Sequence, residues 1–128
     1  MSALTKVQEK SKNASEANFR AFVADDESRK AVEQVVGELM IPSAAVIRGN
    51  VRDAIEHLGT TRSPRLLLVD LSGRQLPLSD INELAEVCEP GVRVIAVGDR
   101  NDVGLFSELL GQGITVYVVK QGRGDRLD

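Results

Sequence analysis

Five short apolar runs, each but the last followed by a stretch whose apolar residues recur every three or four positions, constrain this chain more than anything else in it. The runs are Phe19 to Ala24, Ala44 to Arg48, Arg65 to Asp70, Val92 to Val97 and Thr115 to Val119. Runs this short suit buried strands, and the longer period belongs to amphipathic helices. Strands that alternate with helices pair in parallel through right-handed crossovers, which puts helices on both faces of the sheet. The expected fold is α/β: a flavodoxin-like, doubly wound parallel sheet of five strands in the order 2-1-3-4-5.

The intervening helices have readable ends. The first carries Asp26 and Glu27 in its opening turn, has the stripe Val32, Val35, Val36 and Leu39, and is closed by Pro42. Asn50 caps the second, which presents Val51, Ala54, Ile55 and Leu58 before Gly59. The third starts at Ser79 and presents Ile81, Leu84, Ala85 and Cys88 before Pro90-Gly91. The fourth opens near Asn101-Asp102, with Val103, Phe106, Leu109 and Leu110 as its buried set, and ends at Gly111 or Gly113. After Lys120, the stretch Gly122-Arg123-Gly124-Asp125 is poor helix material, so the last helix of such a fold is expected to be missing or truncated. One face of the fourth and fifth strands should then lack cover, and exposed apolar sheet marks an interface with a second subunit or a downstream domain. Residues 1–18 read as a flexible lead-in, 19–121 as the domain, and 122–128 as a tail or a linker to an absent domain.

Composition narrows the partners. A net charge of −3 with interspersed signs, three phenylalanines, one tyrosine and no tryptophan offers nucleic acid neither a basic surface nor a stacking platform. No apolar stretch approaches the roughly 20 residues that span a bilayer, and Met1 to Asn18 lacks the apolar segment of a signal peptide. A single cysteine, Cys88, agrees with a reducing compartment, so a cytoplasmic location is expected. His57, near the end of the second helix, reads as structural, and Arg123-Gly124-Asp125 as a solvated linker.

Polar residues stand at the ends of three apolar runs: Asp25 and Asp26 after the first, Asp70 closing the third, Lys120 after the fifth. In a parallel sheet these ends open onto one edge, and in the order 2-1-3-4-5 the switch point lies between the first and third strands. Three carboxylates drawn together repel one another, and a hard cation such as Mg²⁺ would relieve the repulsion, with Asp25, Asp26, Asp70 and the backbone carbonyl of Ser72 as its ligands. A carboxylate beside Mg²⁺ and a lysine can accept a phosphoryl group, which makes Asp70 the candidate phosphoacceptor and Lys120 the phosphoryl contact. A nucleotide or flavin at this edge is disfavoured, because Asp25-Asp26-Glu27 stands where phosphate-binding glycines would be.

From Phe19 to about Gln121 the chain resembles the CheY-like receiver domains of two-component response regulators. Asp25-Asp26 matches the acidic pair, Asp70 the phosphoacceptor, Tyr117 the conformationally coupled aromatic and Lys120 the invariant lysine. Two positions depart from that pattern. Gly98 stands where the family has a serine or threonine that contacts the phosphoryl group, and Gln121 where a proline usually follows the lysine. A narrower resemblance accommodates both. Val94-Ile95-Ala96-Val97-Gly98-Asp99-Arg100-Asn101-Asp102-Val103, with Leu105-Phe106 and Gly113-Ile114-Thr115-Val116-Tyr117-Val118-Val119-Lys120, is similar to the atypical N-terminal receiver of CpaE/TadZ pilus-assembly proteins. That resemblance implies a pseudo-receiver: not an enzyme, but a protein-interaction and localisation module of Flp/Tad pilus assembly or secretion, often at a cell pole. Its implied partners are pilus-assembly components, a second copy in a homodimer, and a ParA/MinD-like ATPase domain in cis or in trans. Gly111-Gln112-Gly113 and Gly122-Arg123-Gly124 lack the P-loop pattern, so that ATPase is not encoded here. The alternative is a phosphorylatable receiver in a phosphorelay, with Asp70 served by a histidine kinase.

Overall fold

The computed structural model describes residues 18–120. The expected lead-in, up to residue 17, and the expected tail, 122–128, lie outside the described residues. Five strands, β1 (Phe19–Val23), β2 (Ala44–Arg48), β3 (Leu66–Asp70), β4 (Arg93–Gly98) and β5 (Val116–Val119), form one sheet in the order β2-β1-β3-β4-β5. All four pairings are parallel, with Phe19 opposite both Ala44 and Leu66, Asp70 opposite Val97, and Gly98 opposite Val119. Helices α1 (Asp26–Leu39), α2 (Val51–Leu58), α3 (Pro77–Val87) and α4 (Val103–Gly111) make the crossovers. This is the flavodoxin-like architecture expected from the alternation of strands and helices, with strand ends shifted by one residue.

Alternation along the strands sends side chains to two unequal layers. Phe22, Leu67, Val69, Ala96 and Tyr117 meet Val51, Ala54 and Leu58 of α2, Ile81 and Leu84 of α3, and Leu109 of α4 in the main core. Phe19, Ala21, Val23 and Leu68 face the other way, where Val32 and Val36 of α1 pack with Ile95 and Val97. Three helices cover the first face, and α1 is the one described helix on the second.

That imbalance corrects the expected stripe of α1. No residue of α1 is buried; Val35 is 49% exposed and Leu39 66%, because no described helix stands beside α1 to enclose its flank. The phase of α4 also differs from expectation. Leu109 is buried and Leu105 partly so, whereas Val103, Phe106 and Leu110 are exposed. With apolar side chains nearly all round that helix, periodicity alone did not decide which stripe turns inward. In α3, Ala85 is exposed and the charged Asp80 is buried instead. The helix starts two residues earlier than Ser79, at Pro77, whose missing N–H costs nothing in a first turn.

The caps follow sequence chemistry. Asn50 Oδ1 accepts from the amides of Arg52 and Asp53 while Asp53 Oδ2 accepts from Asn50 N, a reciprocal capping box. Asp102 Oδ1 likewise accepts from Gly104 N and Leu105 N at the start of α4. Among the described residues no helix is long and apolar enough to cross a membrane.

Candidate functional site

Asp25 and Asp70 come together because β1 and β3 are sheet neighbours and both carboxylates sit at carboxyl-terminal strand ends. Asp25 is the N-cap of α1: Oδ1 accepts from Ser28 N at 2.6 Å. Asp70 is fully buried at the last position of β3, where Oδ1 accepts from Ser72 N at 2.9 Å and Oδ2 from Ala24 N at 2.8 Å. Lys120 follows β5, two strands from β3. Its backbone N–H donates to the Gly98 carbonyl at 2.7 Å, and Nζ lies 2.7 Å from both Asp25 Oδ2 and Asp70 Oδ2. One ammonium therefore bridges two carboxylates, and all four carboxylate oxygens have a donor.

The protonation of the three groups is set by this closeness. The Lys120 contact, with the capping bonds from Ser28, lowers the Asp25 carboxyl to about 2. Burial pushes Asp70 up, but the bonds from Lys120, Ser72 and Ala24 outweigh it and hold Asp70 below its ordinary range. Burial pulls Lys120 down, and its two carboxylate partners more than reverse that. All three groups are charged at neutral pH.

Asp26 does not join them. One residue into α1, its carboxylate is exposed and pairs with Arg48, at the end of β2, and with Arg29. Hard oxygen donors suit Mg²⁺ in kind, and the carboxylates of Asp25 and Asp70 beside Ser72 supply them. In number the set is smaller than the sequence suggested. Among the described residues no group of three or more acidic, histidine or cysteine side chains is placed to hold a metal ion.

Gly98 and Tyr117 meet directly. A Cβ built on Gly98 would fall 2.9 Å from Tyr117 Cε1 and 3.1 Å from Cζ, and closer still to the hydroxyl. The ring is buried, packs against Phe106 with centroids 6.4 Å apart, and donates through Oη to the Arg100 carbonyl at 2.8 Å.

Beside the pocket lies a network that the sequence analysis missed. Buried Asp80 accepts from Arg74 Nε at 2.8 Å and Nη2 at 3.2 Å, and from Arg52 Nη1 at 3.3 Å; Arg52 also reaches Glu83 at 2.8 Å. The signal was available, since Asp80 sits at helical spacing with Pro77 and Leu84 on the inward face of α3. Arg20, buried in β1, was missed too; its Nη1 donates to the Arg62 carbonyl. His57, expected to be structural, lies against Phe22 with ring centroids 5.5 Å apart, and burial lowers its pKa.

No family model matches the sequence, and no curated protein matches it. Solved structures do. A pilus assembly protein CpaE from Caulobacter crescentus is 31% identical, with 80% of this chain and 81% of that one covered at a TM-score of 0.73. A protein described as a CpaE2 pilus assembly protein, from Sinorhizobium meliloti, is 29% identical, with coverages of 87% and 93% and a TM-score of 0.75. A CheY-like response regulator protein from Mesorhizobium loti, 21% identical over 87% of this chain and 92% of that one, shares the fold at a TM-score of 0.61.

Proposed function

The chain belongs to the CpaE pilus-assembly family, and from that premise we propose that its receiver fold works as a docking and localisation module of Flp/Tad pilus assembly. In this reading the domain is a pseudo-receiver in the cytoplasm, at a cell pole where the machinery assembles. It associates with a second copy of itself, with pilus-assembly components, and with a ParA/MinD-like ATPase domain in cis or in trans. It catalyses no reaction.

One observation carries this reading: edge strand β5 lies amid exposed apolar side chains. Val116 and Val118 are 38% and 47% exposed, on the face that α1 leaves open, and Val103, Phe106 and Leu110 line the outer side of neighbouring α4. Apolar side chains left open on both faces of one sheet edge make that edge a docking surface or an aggregation hazard. The pocket, by contrast, satisfies its carboxylate oxygens internally, with one ammonium set between two carboxylates.

The Asp25–Lys120–Asp70 constellation favours a second reading, a phosphorylatable receiver with Asp70 as acceptor. Mg²⁺ would then be held by Asp25, Asp70 and the Ser72 carbonyl, and Asp26 would have to leave Arg48 to join them. The ion would offset the charge of an incoming phosphoryl group. Lys120 would have to release Asp70 before the carboxylate could react, since both its oxygens are engaged. Intact-mass measurement after incubation with Mg²⁺ and a small phosphodonor separates the two readings. The docking module predicts no adduct on the wild type; an adduct on the wild type that is absent from Asp70→Asn replaces it with the phosphorelay reading.

A further inference from the structure

The cluster around Asp80 has more hydrogen-bonding capacity than its own ion pairs use. Asp80, 3% exposed on the inward face of α3, accepts from Nε and Nη2 of Arg74, in the loop after β3, and from Nη1 of Arg52, in the first turn of α2. Both guanidinium groups bond the same oxygen, Oδ1, so two cations that repel each other are held side by side. Taking a carboxylate out of water is costly, and an apolar residue at such a position often serves stability at least as well. What the buried carboxylate adds is the fixed placement of two guanidinium groups at the surface.

Those groups face a cavity of about 630 Å³ between α2, α3 and the loop after β3, lined also by Gln75, Ser79 and Glu83. Among the described residues, Arg74 Nη1 and Arg52 Nε and Nη2 have no partner. The first turn of α3 borders the cavity without a side-chain cap, so its backbone amides add to the positive field of the arginines. Glu83 opposes that field. Its carboxylate lies 2.8 Å from Arg52 Nη1, but the side chain is half-exposed, and an ion pair this open to water contributes little. A more strongly charged anion can displace it.

We propose that this cavity binds a dianionic phosphate group. A guanidinium presents paired N–H donors that match phosphate oxygens, and two of them fixed side by side can engage different oxygens of one tetrahedral group. The two charges of the phosphate exceed the single one that Glu83 supplies. The cavity has more room than phosphate alone needs, and Leu76, 69% exposed, stands on its wall, so the phosphate monoester of a small apolar group fits it. The site shares no residue with Asp25, Asp70 and Lys120 or with the β5 edge, and it neither needs nor excludes the docking role proposed above.

The test is titration of the wild-type chain with inorganic phosphate, followed by amide chemical shifts, at constant ionic strength, at a pH where phosphate is the dianion, and with EDTA present to exclude divalent cations. Saturable shifts are expected at residues 73–80 and 52–53. Shifts that do not saturate, or that centre on residues 25, 70 and 120, overturn the proposal. Arg74→Gln should weaken phosphate binding by about tenfold, and binding as tight as that of the wild type rejects the site. Should Arg74→Gln not fold, Glu83→Gln decides, because it leaves both arginines on Asp80: binding should tighten about threefold, and unchanged or weaker binding rejects the site. Acetate that binds as tightly as phosphate overturns the assignment to a dianion. Phenyl phosphate then distinguishes the source of the group, since tighter binding than inorganic phosphate supports a monoester and equal binding supports the free ion.

Discussion

The carboxyl-terminal edge of the sheet and the lateral edge at β5 are a few residues apart along the chain, yet they are built on opposite principles. At the first, Lys120 bridges two carboxylates, one of them fully buried, and every carboxylate oxygen of the pair has a donor. At the second, valines and a phenylalanine stand open with nothing among the described residues packed over them. The first spends its interactions inside the domain, and the second holds them available for another surface. Substitutions should therefore damage stability at one edge and association at the other.

The largest effect is expected at the pocket. Lys120→Met leaves two carboxylates facing each other, one without access to water, and should lower the unfolding free energy by about 3 kcal/mol, measured by urea denaturation. A loss below about 1 kcal/mol would mean that the bridge is not the buried pair described here. Next comes Met40, the C-cap of α1, held at φ 53° in the left-handed region. Met40→Gly should raise stability by about 1 kcal/mol in the same assay, because the strain there belongs to neither edge. The pH response is smaller and has a definite sign. Asp25 is lowered in the folded state from 3.8 to about 2, so its contribution is complete above 3.8 and fades as the pH falls towards 2. Asp25→Asn should flatten that part of the stability profile, and an unaltered slope would place the acid sensitivity elsewhere. The smallest effect on stability belongs to the lateral edge: Val118→Ser should change it by no more than about 0.5 kcal/mol. A larger loss would make Val118 part of the core and erase the contrast.

The residues differ in how far their sequence neighbourhood disclosed them. Strand order, the caps at Asn50 and Asp102, and the meeting of Asp25, Asp70 and Lys120 follow from local chemistry and from where parallel strands end. Asp26 went astray because adjacency in sequence to Asp25 suggested a shared direction, whereas helix geometry turns successive side chains by about 100° and Arg48 was waiting at the end of the neighbouring strand. The stripe of α4 was ambiguous because Val103, Leu105, Phe106, Leu109 and Leu110 leave it no clear polar side. Gly98 could be recognised as the absence of a hydroxyl. That its place is taken by Tyr117, 19 positions on, depends on the register of β4 against β5, which only the folded chain supplies.

Sedimentation over a range of concentrations most directly tests whether the lateral edge is the working surface. The wild-type chain should self-associate, and Val103→Ser combined with Val118→Ser should sediment as a monomer with its thermal unfolding nearly unchanged. A wild type that remains strictly monomeric at every concentration, or a doubly substituted chain that associates as well as the wild type, would contradict the account.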